Sequence, residues 1–222
     1  MLQVNHLDGF GVGVDVEEPI EIAFVGSSTS TSAAITLPSG LEDGDIGVLF
    51  QMSVGISTPP TRVTPSGFTP GPTTTTTSIS ALRSSIEYKI LTESDAGATI
   101  TGTAGSAARK IFAVFRPSSP LSALAESASD SSGGASGSGA SASLTLTTEF
   151  TQPLLILGST GSNVNNPTLG GTVITNGTQI GVSSNTLVAS YEFMNQPSSN
   201  RNLTIANSGS ATAIGLALRC LK

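Results

Sequence analysis

A chain of 222 residues is long enough to bury a sizeable core and to fold without disulfide or metal staples. Charged residues make up 11% of it, against about 25% in ordinary soluble domains, so its polar surface has to be built from Ser, Thr, Gly and Asn. That composition favours strands and turns over helices, and a net charge of −6 argues against a surface that neutralises nucleic-acid phosphates.

Cys220 and His6 are the only residues of their kinds, which leaves no intrachain disulfide, no cysteine cluster for zinc and one imidazole for proton transfer. The start of the chain carries no basic segment followed by an apolar one, and no apolar run approaches about 18 residues. The expectation is a protein made soluble in a cytoplasm, with no membrane partner and no cofactor. Charge is uneven along the chain: residues 1–61 hold eight acids and no Lys or Arg, and the remainder holds nine bases and seven acids. The acidic end is suited to docking on something basic.

Residues 1–21 read as an extended N-terminal arm. In "FGVGVDV" the side chains of Phe10, Val12, Val14 and Val16 share one face at period two, and Asp15 falls on the other, followed by Glu17 and Glu18. Burying the four apolar side chains gains roughly 6 to 12 kcal/mol, while fixing the backbone costs about 7 to 14 kcal/mol. Order therefore waits on ladder hydrogen bonds to a sheet edge, either the protein's own or a partner's.

From residue 22 to 222 the pattern is that of a β-sandwich. Strands are expected at "EIAFV", "AITL", "DIGVLFQM", "SSIEYKIL", "ATIT" and "RKIFAVF". In "SSIEYKIL", Ile86, Tyr88 and Ile90 point inward, while Ser85, Glu87 and Lys89 point to solvent. The stretch "TPSGFTPGPTTTTTSIS" contains three prolines and reads as a long exposed loop around Phe68 with at most one edge segment. Residues 118–142 are Ser, Gly and Ala rich and read as a flexible joint between half-units 22–117 and 143–222. The second half then offers "SLTLT", "PLLILGS", "GTVIT", "LVASYEF", "NLTIA" and "AIGLALR".

The halves match at an offset of 103: Tyr88 with Tyr191, Ile100 with Leu203, Ile111 with Ile214, and Arg116 with Arg219. The strands "GDIGVLF" and "QPLLILG" match only if the offset grows by a few residues. Two such half-units close either one sandwich or two small ones; one sandwich of about twelve strands is favoured, because each sheet has to cover the other's apolar face.

Candidate chemistry is sparse. Glu42, Asp43 and Asp45 cluster in "LPSGLEDGD", but a calcium loop needs about six to eight oxygens, and only Asp43 and Asp45 have the alternate spacing. Asp43-Gly44 is a strong tight-turn pair, so the stretch is read as a turn. No G-x-S-x-G elbow occurs, and "GFGVG" at 9–13 neither follows a strand nor opens a helix. Glu87, Glu149 and Glu192 could be drawn into an acid pair for glycoside cleavage, yet Glu87 and Glu192 lie on polar strand faces with ordinary solvated readings. Arg116 and Arg219 end equivalent strands and are candidate strand-end contacts.

The motifs "HLDGFGVG", "IAFVGSS", "ITLPSGLEDGDIGVLF", "TPSGFT", "IEYKILTESDAGATIT" and "KIFAVFRP" together resemble accessory virion proteins of tailed bacteriophages: head decoration or cement proteins, head fibres and tail-associated appendages. The resemblance covers residues 5 to about 117, and beyond that only the strand pattern. Many such proteins have Trp in the position of Phe68, and this chain has no Trp. The resemblance implies a jelly-roll-like sandwich, oligomeric and often trimeric, bound to the major capsid protein or another virion protein and without catalysis. Its rival is a tail or fibre module that binds cell-surface glycan, which Tyr88 and Tyr191, both placed inward by periodicity, discourage.

Overall fold

The computed structural model describes residues 20–77, 81–133, 141–146, 153–162, 177–183, 186–194, 201–206 and 212–222. The arm side chains Phe10, Val12, Val14, Asp15, Val16, Glu17 and Glu18 lie outside these residues, as does "GTVIT".

Period-two alternation makes the strands, and Gly, Pro and Asp end them. Fourteen strands follow in the described residues: β1 (Ile22–Ser30), β2 (Ala34–Thr36), β3 (Ile46–Val54), β4 (Thr69–Thr76), β5 (Leu82–Ile90), β6 (Thr99–Thr101), β7 (Ala107–Pro117), β8 (Ala123–Gly133), β9 (Ser141–Leu146), β10 (Leu154–Gly161), β11 (Thr178–Ser183), β12 (Leu187–Met194), β13 (Arg201–Ala206) and β14 (Thr212–Leu221). One 3₁₀ turn, Glu93–Asp95, interrupts them. The protein is all-β, as its composition requires.

The first seven strands form a sheet in the order β1-β7-β3-β5-β4 and a separate pair β2-β6. The last seven form β8-β14-β10-β12-β11 and a pair β9-β13, the same arrangement with each number raised by seven. Within each set the antiparallel pairings nest: β1 with β7, β2 with β6, β3 with β5, and likewise β8 with β14, β9 with β13, β10 with β12. Each half is one long hairpin rolled over on itself.

Register confirms the internal repeat in detail. Ile46 stands opposite Phe115, and Leu155 stands opposite Leu218, so the offset is 109 in β3 and 103 in β7. The bulges repeat too. Val25 is squeezed out of the ladder between β1 and β7, and Ser127 takes the corresponding place between β8 and β14. A bulge bends its strand and strengthens the twist, so both edges curl the same way.

The two five-stranded sheets face each other across one interior. Val48, Phe50, Ile86 and Phe115 from the first meet Leu155, Leu157, Leu216 and Leu218 from the second, all fully buried. Each such side chain contributes about 1.5–3 kcal/mol. The edge strand β4 lies against β8, and β1 lies against β11, which relates the halves by an approximate twofold rotation. Outside this interior, β2 and β6 cover the far face of the first sheet, where Ile35 and Leu37 meet Leu49, Phe112 and Val114. Strand β9 covers the far face of the second, where Leu144 and Leu146 meet Leu154, Ile156 and Val188. The result is four layers, of two, five, five and two strands.

Two segments differ from expectation. Residues 118–142 are not only a joint, because Ala123–Gly133 forms β8, held along the edge of the second sheet by β14. The proline-bearing stretch contains β4, an outermost strand in which Pro70 and Pro72 can lack an N–H without breaking a ladder on both sides.

Candidate functional site

The turn "LEDGD" is built around Arg116. Gly44 sits at φ +93°, a conformation that glycine adopts without a Cβ penalty, and the Asp45 N–H donates back to Glu42 O at 3.2 Å. Strand β7 runs antiparallel to β3 and delivers Arg116 to this turn. Its Nε donates to Asp45 Oδ1 at 2.8 Å, its Nη2 to Asp45 Oδ2 at 2.9 Å, and its Nη1 to Glu42 Oε1 at 2.5 Å. Asp45 Oδ2 also accepts the Glu42 N–H at 2.9 Å, and Asp43 Oδ1 accepts the Glu93 N–H at 2.8 Å. Burial raises the Asp45 pKa, but the Arg116 hydrogen bonds, the Glu42 N–H and the Arg116 charge together pull it below the usual carboxylate value. These carboxylates hold a turn together, and Arg116 is engaged with them within the chain.

Arg219 occupies the equivalent place on β14, opposite Leu154 on β10 and Ala125 on β8. Arg116 has an acid as its neighbour, and the matching position in the second half carries Leu154. Tyr191 stacks on Phe24 at 5.6 Å and meets Phe115 edge-on at 5.0 Å, while Tyr88 is 6% exposed.

The root of the arm lies beside the Arg116 turn. Ile20 is buried, the Glu21 N–H donates to Ser118 Oγ at 3.0 Å, and the Ser118 N–H donates to Glu21 O at 2.8 Å. These contacts pin the chain to the end of β7 just before it enters the edge strand β1. A groove of about 480 Å³, lined by Glu21, Ile22, Glu42, Arg116 and Ser118, opens there.

Phe68 does not stand on an exposed loop. It is 8% exposed, its ring meets Phe112 edge-on at 6.1 Å, and Lys89 Nζ lies 6.0 Å from its centre. Residues 55–68 fold back over the far face of the first sheet, because Leu49, Phe112 and Val114 make that face apolar. A signal for this was present: "IGVLF" and "KIFAVF" are nearly continuous apolar runs, which mark strands covered on both faces.

The same cover buries a charged cluster around Glu87, which the alternation pattern placed in solvent. Glu87 is fully buried, as is Lys110, and Gln51 and Thr103 are each 1% exposed. Glu87 Oε2 accepts from Gln51 Nε2 at 2.6 Å, and Glu87 Oε1 accepts from Arg62 Nε at 2.9 Å. Arg62 also donates to Gly71 O at 2.8 Å and to Ile86 O at 3.1 Å, tying the covering loop to β4 and β5. Thr103 N–H donates to Gln51 Oε1 at 2.8 Å, and Lys110 Nζ donates to Thr103 O at 2.7 Å. Burial raises the Glu87 pKa against the pull of Gln51 and Arg62. Burial lowers Lys110 to about 8, with the Glu87 charge opposing it. Period two assigns these residues to the outer face correctly; it carries no information about what covers that face.

Among the described residues no group of three or more His, Cys, Asp or Glu is arranged to hold a metal ion, and no helix is long and apolar enough to cross a membrane. No family model matches the chain, and no curated protein or solved structure does.

Proposed function

We propose that this chain is a non-enzymatic structural protein of a phage virion, a head decoration or cement protein that binds the capsid surface and stabilises it as a homotrimer. The observation that carries the reading is the fixed root of the arm. A buried Ile20 and two Glu21–Ser118 hydrogen bonds fix the point at which the chain enters the all-β body, next to the edge strand β1. An alternating segment leaving such a point is suited to adding a strand to a neighbouring sheet, with its acids steering it to a basic patch.

The body supports the same reading. The nested pairings support a jelly-roll-like reading of the sandwich, and a surface poor in long charged side chains loses little conformational freedom when copies pack closely. The glycan-binding alternative finds less support, because Tyr88 is buried and Tyr191 is stacked between Phe24 and Phe115, which leaves neither ring as a sugar platform. Deleting residues 1–16 and mixing the product with undecorated shells tests the proposal. Loss of binding is expected; undiminished binding removes the arm from the mechanism, and saturable binding on a glycan array promotes the alternative.

A further inference from the structure

We propose that Lys110 and Gln51 condense to an intramolecular amide, with Glu87 as the proton carrier, so that strands β3 and β7 become covalently joined. The three residues lie on the far face of the first sheet, on β7, β3 and β5 respectively, with Glu87 diagonal to Gln51 by two positions. Gln51 and Lys110 are direct cross-strand partners. Gln51 Oε1, Gln51 Cδ and Lys110 Cε lie 1.9, 2.8 and 3.1 Å from the point where a Cβ on residue 102 would sit, so the glycine lets both side chains crowd into the same space.

Each role in the reaction has a candidate group among these buried residues. The electrophile is the Gln51 carboxamide, whose Oε1 already accepts the Thr103 N–H at 2.8 Å; that donor steadies the negative charge of a tetrahedral intermediate. The nucleophile is Lys110 Nζ, held at 2.7 Å by the carbonyl of the same Thr103. Its lowered pKa keeps a share of the amine unprotonated near neutral pH. The leaving nitrogen, Gln51 Nε2, sits 2.6 Å from Glu87 Oε2. Burial of all four residues keeps water from competing for the carboxamide carbon.

The balance closes without any outside reagent. The share of Lys110 that is already neutral attacks Cδ to form the new C–N bond, which brings Nζ beside Nε2, the atom that Glu87 Oε2 holds. Glu87 takes one proton from the bonded Nζ and passes it to Nε2, the old C–N bond breaks, and ammonia departs. Nothing is oxidised or reduced, and Glu87 ends as it began. The bond closes residues 51–110 into a ring across the centre of the sheet.

Mass spectrometry of the intact full chain in denaturant is the test. The expected result is a mass about 17 Da below that of the sequence, one ammonia lost, with a proteolytic digest yielding the Gln51 peptide joined to the Lys110 peptide. Lys110→Met and Glu87→Gln are each expected to restore the full mass. The unmodified sequence mass in the native chain overturns the proposal, as does a deficit whose joined peptides lack either residue. Persistence of the deficit in Glu87→Gln overturns the assignment of Glu87. Because the deciding mass is that of the native chain, the outcome does not depend on either variant folding.

Discussion

The two halves share strand order, nesting and bulges, yet their far faces are made of different material. Where the first half places Gln51, Glu87 and Lys110, the second places Thr160, Ser190 and Ala213, each at the same ladder position. Where the first stacks Phe112 under Phe68, the second has Gly215. The rolled hairpin therefore needs only its inward alternation, which both halves keep. A buried ionic layer is not a condition of the topology, and because replacing such layers with apolar or small neutral residues is often neutral or stabilising, its presence in one half calls for a reason other than folding.

The largest expected effect separates the two faces directly. Glu87→Ala leaves Arg62 and the Gln51 amide without their buried carboxylate partner and is expected to lower stability by about 3–5 kcal/mol, while Ser190→Ala at the matching position stays within about 1 kcal/mol. Chemical denaturation of both variants checks this, and equal losses would erase the distinction. Next, Phe68→Ala opens a void against Phe112 and is expected to cost about 3 kcal/mol in the same assay. A loss below about 1 kcal/mol would return the 55–68 loop to the surface.

Arg116→Ala is expected to cost about 2 kcal/mol at neutral pH, less than a fully buried pair loses, because the Arg116 side chain is 32% exposed while Asp45 is 1% exposed. The sign with pH follows from the depressed Asp45 value. Its contribution is complete above the unfolded value near 3.8 and disappears as pH falls through the lower folded one. Stability measured against pH should show the variant and the native chain converging in acid; a constant gap would contradict the pairing. The smallest effect is at Gly44→Ala, about 1 kcal/mol from forcing φ +93° on a residue with a Cβ, read as a shift in denaturation midpoint.

Much of the interior is legible in the sequence. Ile86, Tyr88, Ile214, Leu216 and Leu218 all point where alternation sends them, and the 103-residue offset relates β5 and β7 to β12 and β14. Strands β4 and β8 are hidden because Thr, Pro, Ser and Gly carry little strand signal, and what orders them is a neighbour, β5 or β14, that period and propensity do not reveal. Phe68 and Glu87 depart from expectation for a related reason. A period of two tells which way a side chain points, and only the path of a distant loop decides whether it meets water there. The candidate site is half visible: the Arg116 and Arg219 correspondence can be read from the chain, but the Asp45 partner of one and the Leu154 neighbour of the other require the ladder register.

The approximate twofold rotation between the halves also bears on how a single copy meets a surface. Turned through half a revolution, each described strand takes the place of its counterpart in the other half, so strand arrangement alone gives a partner little by which to tell one end from the other. Any partner that tells one end from the other must then read what only one half carries, such as the Arg116–Asp45 clasp, whose counterpart in the second half pairs Arg219 with Leu154.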